Sequence, residues 1–181
     1  MKKQYEAEYR LDGMDKKGKK TYTYIGSWYT FDLDEAGFRS FWRRQLGFSI
    51  LILALLIGAG CISSMALYAF YSAIPYGISL ILSLFLTVET IFCPTHPEKS
   101  EHLHYDQSFG HIRSFVSVCP VLFAVSFAGN LIAMLVYGMT SARELIQPAL
   151  LLAAFIAGWF FHKLEKNTPV KIIDNDAAEK V

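Results

Sequence analysis

The chain has 181 residues, 53% of them hydrophobic and 15% aromatic, with a formal net charge of +1. Its apolar residues gather after residue 45, and its bases form no aromatic-interleaved stripe, which disfavours nucleic-acid binding. Cys61, Cys93 and Cys119 lie in or beside apolar runs, which argues against a disulfide framework or a zinc motif.

Residues 1–45 read as a cytoplasmic unit with two parts. Tyr5–Leu11 alternates in polarity, and Thr21–Phe31 is rich in aromatic and β-branched residues. Separated by a Gly- and Lys-rich turn, the two runs predict a β-hairpin. A lone hairpin is marginal in water, so its aromatics require a partner surface. Asp34 then suits an N-cap, and Glu35 and Arg39 form an i,i+4 pair. Asp34–Gln45 is therefore expected to be an amphipathic interfacial helix, with Arg39, Trp42, Arg43 and Arg44 at the membrane surface and the arginines facing anionic headgroups.

Four apolar segments follow, at 46–68, 76–92, 115–137 and 145–161. Lengths of 17 to 23 residues match a hydrocarbon core of about 30 Å. Before, between and after them lie ten, zero, two, one and four Lys or Arg residues. That alternation predicts an all-α, multi-pass integral membrane protein. The expected fold is a four-transmembrane-helix bundle at residues 46–161 with a cytoplasmic N-terminal hairpin and interfacial helix. Both ends and the 20-residue loop 93–112 are placed in the cytoplasm, most simply at the plasma membrane. The first apolar run is too long for a signal-peptide core. Tyr68, Tyr71, Tyr76 and Tyr137 form an outer aromatic belt, and Trp42, Phe92 and Trp159 an inner one. The tail, 162–181, is polar and expected to be ordered only if docked.

Within the second segment Tyr76, Ser79, Ser83, Thr87 and Thr90 share a helical stripe. The third offers a matching face at Cys119, Ser126, Asn130, Ala133 and Tyr137. Pairing of the two faces across a helix interface is the economical reading, and a polar path using Ser79, Ser83, Thr87, Glu89 and Asn130 is the rival. Glu89, the one acid inside a segment, falls off the stripe about one turn from the cytoplasmic end, within reach of Arg113 or Lys163. That position favours a structural role over a coupling carboxylate. Small residues four apart, such as Ala54 and Gly58 or Ala154 and Gly158, allow close helix packing.

The middle loop carries His96, His102, His104 and His111. An extended 102–104 would present two imidazoles on one side, yet the spacing matches no zinc motif, so a solvated, pH-responsive loop is the simpler reading. No catalytic constellation is visible, and no cofactor or enzymatic activity is expected. The functional expectation is a non-enzymatic accessory, scaffold or regulatory component acting through its cytoplasmic face, with a protein partner or a homo-oligomer. The rivals are a small oligomeric transporter or channel for ions or small cations, and a metal- or pH-sensing regulator.

Overall fold

A computed structural model describes residues 7–14, 20–62, 64–93, 100–138 and 141–173. Four helices long and apolar enough to cross a membrane dominate it: α1 (Glu35–Gly60), α2 (Phe70–Phe92), α4 (His111–Tyr137) and α5 (Ile146–Asn167). A short helix, α3 (His102–Tyr105), leads into α4 through a π-helical segment, Asp106–Gly110. The long helices form a closed ring in which α1 packs on α2, α2 on α4, α4 on α5 and α5 back on α1. Every neighbouring pair is antiparallel. The interfacial helix foreseen at Asp34–Gln45 is the first part of α1, with no break before the apolar run. Asp34 Oδ1 caps it by accepting from Gly37 N at 3.0 Å.

Several helix boundaries differ from the expected segments. α1 stops at Gly60 rather than Tyr68. Gly58 and Gly60 weaken the helix, and Ser64 caps a separate 3-10 turn at Met65–Tyr68. α2 begins at Phe70, so Pro75 lies inside its second turn rather than ahead of it. α4 begins at His111 rather than Phe115 and ends at Tyr137 as expected, with Gly138 as its C-cap at a φ of +75°, which is strained for any residue with a Cβ.

Two small sheets sit at the end of the ring where α1 begins, here termed the sheet end. β1 (Tyr9–Met14) pairs antiparallel with β2 (Lys20–Tyr24), giving the expected N-terminal hairpin. Its register shifts between Leu11 and Gly13, and Gly13 takes a φ of +151°. The second expected strand does not continue to Phe31. It breaks after Tyr24, and β3 (Trp28–Phe31) joins a different sheet. β3 lies between β4 (Ser100–Glu101) and β5 (Val170–Ile173), antiparallel to both. The tail is therefore docked as far as Ile173. Pro169 ends the helix before it, and its carbonyl accepts from Asp32 N at 3.2 Å.

Phe31 joins sheet to bundle. Its ring lies 4.6 Å from Phe109, 5.3 Å from Phe38 and 5.6 Å from Phe41, centroid to centroid. The π-helical segment shifts the register so that Phe109 is buried in this cluster and packs on Tyr105 at 6.0 Å.

A close helix–helix approach lies near the far end. A Cβ on Gly129 of α4 would stand 2.6 Å from the Tyr71 carbonyl oxygen of α2. Pro75, four residues on, has no N–H to donate to that oxygen, which instead faces the glycine Cα. Gly129→Ala is expected to force α2 and α4 apart and destabilise the bundle by about 1–3 kcal/mol. Thermal unfolding should show this, with Gly77→Ala, where a Cβ meets nothing within 4 Å, as the silent control.

Candidate functional site

The hydroxyl stripe of α2 faces the interior: Ser79, Ser83, Thr87 and Thr90 are all buried. Its pairing with α4 includes a polar side-chain contact, Ser79 Oγ to Ser126 Oγ at 3.1 Å. Each hydroxyl also donates to a carbonyl one turn back on its own helix. Ser79 reaches Pro75 O at 2.7 Å, Ser83 reaches Leu80 O at 2.9 Å, and Thr90 reaches Leu86 O at 2.7 Å. Thr87 donates to Ser83 O at 2.8 Å and approaches Ser49 O of α1 at 3.3 Å. These groups are satisfied inside the bundle without a substrate.

Asn130 is different. It is fully buried on α4, beside Gly129, and neither its oxygen nor its nitrogen has a hydrogen-bond partner. Gln147, in the first turn of α5, is also fully buried with both amide atoms unpartnered, as is the Ser72 hydroxyl on α2. Gln45 Oε1, at the sheet end, is likewise unpartnered, and each such group costs about 1–3 kcal/mol. Sequence reading singled out Asn130 alone. Gln147 and Ser72 stand close to the connections between helices, where polarity is unremarkable until burial is known.

Glu89 is half-buried, and its neighbour is His111 at 4.0 Å rather than Arg113 or Lys163. Two further contacts at the sheet end were not foreseen. Trp42 Nε1 donates to Thr90 O at 3.2 Å, satisfying a carbonyl in the last turn of α2. Gln45 Nε2 donates to Glu165 Oε1, a buried link between α1 and α5. Arg39, Arg43 and Arg44 are exposed, and Arg39 pairs with Glu35 at 2.6 Å.

The histidines do not converge. His96 lies outside the described residues. The segment 102–104 is helical rather than extended, so His102 and His104 diverge. His104 approaches Glu101 at 3.8 Å, while His102 turns into the hairpin. Among the described residues no group of three or more His, Cys, Asp or Glu side chains could hold a metal ion.

His102 instead sits in a small polar joint. Its Nδ1 is 2.7 Å from Glu8 Oε1, its Nε2 is 3.6 Å from Asp106 Oδ2, and its ring stacks on Tyr29 at 4.9 Å. Its backbone N–H donates to the Tyr24 hydroxyl at 3.0 Å, and Tyr24 donates to Ser27 O at 2.7 Å. Tyr9 donates to Glu101 Oε2 at 2.5 Å. The hairpin thus finds its partner within the chain. Glu8, Tyr9 and Tyr24 carried no signal of this in sequence, because the contacts span up to 94 residues.

Set against known protein families, characterised proteins and solved structures, the chain has no significant match.

Burial pushes the Tyr24 phenol up to about 12 against an ordinary 10.0, opposed by the His102 N–H and aided by Glu8. Tyr9 shifts upward as well, by burial and by Glu101. Both phenols ionise later in the folded chain than in the unfolded one. Docking should hold fully below about pH 10 and be lost as pH rises toward about 12. Tyrosinate absorbance, followed with proteolysis of the hairpin, should detect the transition. Tyr24→Phe should remove much of it, and an unchanged transition in the Tyr9→Phe, Tyr24→Phe double variant would refute this assignment.

Proposed function

We propose that the chain is a multi-pass membrane protein acting without catalysis, as an accessory, scaffold or regulatory component, through the face that carries its sheets. The observation that carries the reading is the β4–β3–β5 sheet. It fastens the N-terminal segment, the middle loop and the tail into one platform on the bundle. A presenting surface of this kind suits a binding role better than a transport path whose hydroxyls are already satisfied.

Membrane residence is supported by inverted polarity. Large apolar side chains such as Ile74, Ile78, Ile81 and Phe85 point outward from α2, while its serines and threonines point inward. In water such a surface would be a large aggregation-prone patch, whereas hydrocarbon accepts it without penalty. Arg39, Arg43, Arg44, Arg113, Lys163, Lys166 and Lys171 cluster toward the sheet end, and Arg143 lies at the other. By the positive-inside rule the sheet end is cytoplasmic. Exposed Leu11, Met14 and Tyr22 on the hairpin give a protein partner apolar footholds.

Two measurements test this. With Cys61 replaced by Ser, an impermeant maleimide should label Arg143→Cys on sealed cells and Lys166→Cys only after permeabilisation. A photo-crosslinker at Met14 or Tyr22 in native membranes should capture one partner stoichiometrically, and deleting residues 1–33 should abolish capture elsewhere on the platform. A clean monomer unaffected by that deletion would overturn the scaffold reading.

A further inference from the structure

We propose that Glu165 and Gln45 form a proton-operated latch between α5 and α1, closed when Glu165 takes up a proton and loosened when it gives the proton up. Both side chains are buried, Gln45 at 0% and Glu165 at 7% exposure. They already touch, since Gln45 Nε2 donates to Glu165 Oε1. The other end of the same amide, Gln45 Oε1, is buried with no partner. An ionised carboxylate only accepts, so it cannot satisfy that oxygen. A protonated carboxyl can: one of its oxygens donates to Gln45 Oε1 while the other accepts from Nε2. One proton thus turns a single contact into a reciprocal pair and removes a buried orphan. The latch bears on the platform through the end of α5. Thr168 N donates to Glu165 O at 3.3 Å, and Thr168 Oγ1 donates to Leu164 O at 2.9 Å. Two residues further on, Val170 pairs with Phe31 in the β3–β5 ladder. Holding Glu165 against α1 therefore holds β5 against β3. That this regulates binding rests on the platform reading above, whereas the latch itself needs no partner to be measured.

The surroundings favour the neutral carboxyl. Glu165 stands one turn beyond Phe161, past the apolar run, in the polar end of α5. Burial is the largest influence and pushes its carboxyl up from an ordinary 4.5, opposed by the Gln45 hydrogen bond and the Arg113 guanidinium. Each neighbouring element contributes a group. Arg113 of α4 is exposed, so water screens its charge. Tyr105 of α3 feels Glu165 and also meets Arg113. The Cys93 thiol, at the end of α2, is buried within the field of both Glu165 and Glu89. On α5 itself His162 lies against Trp159, and Lys166 is exposed. A carboxyl raised in the folded chain contributes its full stabilisation below about pH 4.5 and loses it as pH rises through the raised value. Acid therefore closes the latch, and neutral or alkaline solution loosens it.

The test is amide hydrogen exchange of the full chain in lipid nanodiscs at about pH 5 and about pH 8, corrected for the intrinsic rate at each pH. Protection of Val170–Ile173 should be at least about threefold greater in acid for the wild type. Glu165→Gln supplies a donor to Gln45 Oε1 without a proton, so its protection should be high and equal at both pH values. His102→Gln should keep the wild-type response, which separates the latch from the histidine joint at the hairpin. Infrared difference spectra of the wild type between the same two pH values give a second readout that needs no glutamine variant. They should show the carbonyl band of a protonated carboxyl, and Gln45→Leu should move that band to higher frequency as the amide partner is lost. Equal protection at both pH values in the wild type, a response that survives in Glu165→Gln or vanishes in His102→Gln, or a band indifferent to Gln45→Leu would each overturn the proposal.

Discussion

The Phe31 ring is the joint on which the arrangement turns. It closes β3 and enters a pocket made by Phe38 and Phe41 of α1 and by Phe109 of the segment leading into α4. Tilted and edge-on aromatic pairs contribute about 0.5–1.5 kcal/mol each beyond the area they bury. More important is what the ring fixes. With Phe31 seated, β3 has one possible height and direction relative to the helices. β4 and β5 then take their places by hydrogen bonding to it. The docked loop brings His102 and Glu101 to the hairpin, so the hairpin depends on the three-stranded sheet through Tyr9 and Tyr24.

Inside the ring the organising force is different. Hydrophobic burial cannot choose a helix partner when the outer faces are as apolar as the inner ones, so small residues and short hydrogen bonds decide. Gly129 lets α4 come up to the carbonyl that Pro75 leaves unbonded. Gly158 receives Phe123 in the same way on the α4–α5 side. The Ser79–Ser126 contact sets the height of α2 against α4. The interior is polar enough to need specific pairing, and among the described residues the amides of Asn130 and Gln147 and one oxygen of Gln45 do not find it.

Legibility in the sequence followed the range of each interaction. The four apolar helices, the Asp34 cap, the Glu35–Arg39 pair and the hairpin are local patterns, and each was readable. The inward orientation of Ser79, Ser83 and Thr87 was also readable, because a single helix carries the whole stripe. What escaped were facts that need two distant segments at once. The break after Tyr24 has no strong local signal, since Trp28–Phe31 leaves the hairpin only because β4 and β5 compete for it. The early end of α1 was hidden because 61–68 is as apolar as a helix would be. Gly129 looked ordinary until Pro75 was placed across from it. His111 was counted with the loop histidines, whereas the turn of α4 carries it to Glu89.

The order of β3 and β5 along the chain has a consequence for how the molecule is made. The partner of Trp28–Phe31 is Val170–Ile173, separated from it by all four long helices. During synthesis β3 emerges before the four long helices and β5 only after them. The β3–β5 pairing cannot form until α5 has been made, and its long-range closure makes it a slow step. The platform is therefore completed only after α5 has taken its place beside α1. Until then the edge of β3 that β5 takes is available to whatever waits on that side, and a finished platform certifies that the whole bundle has been built.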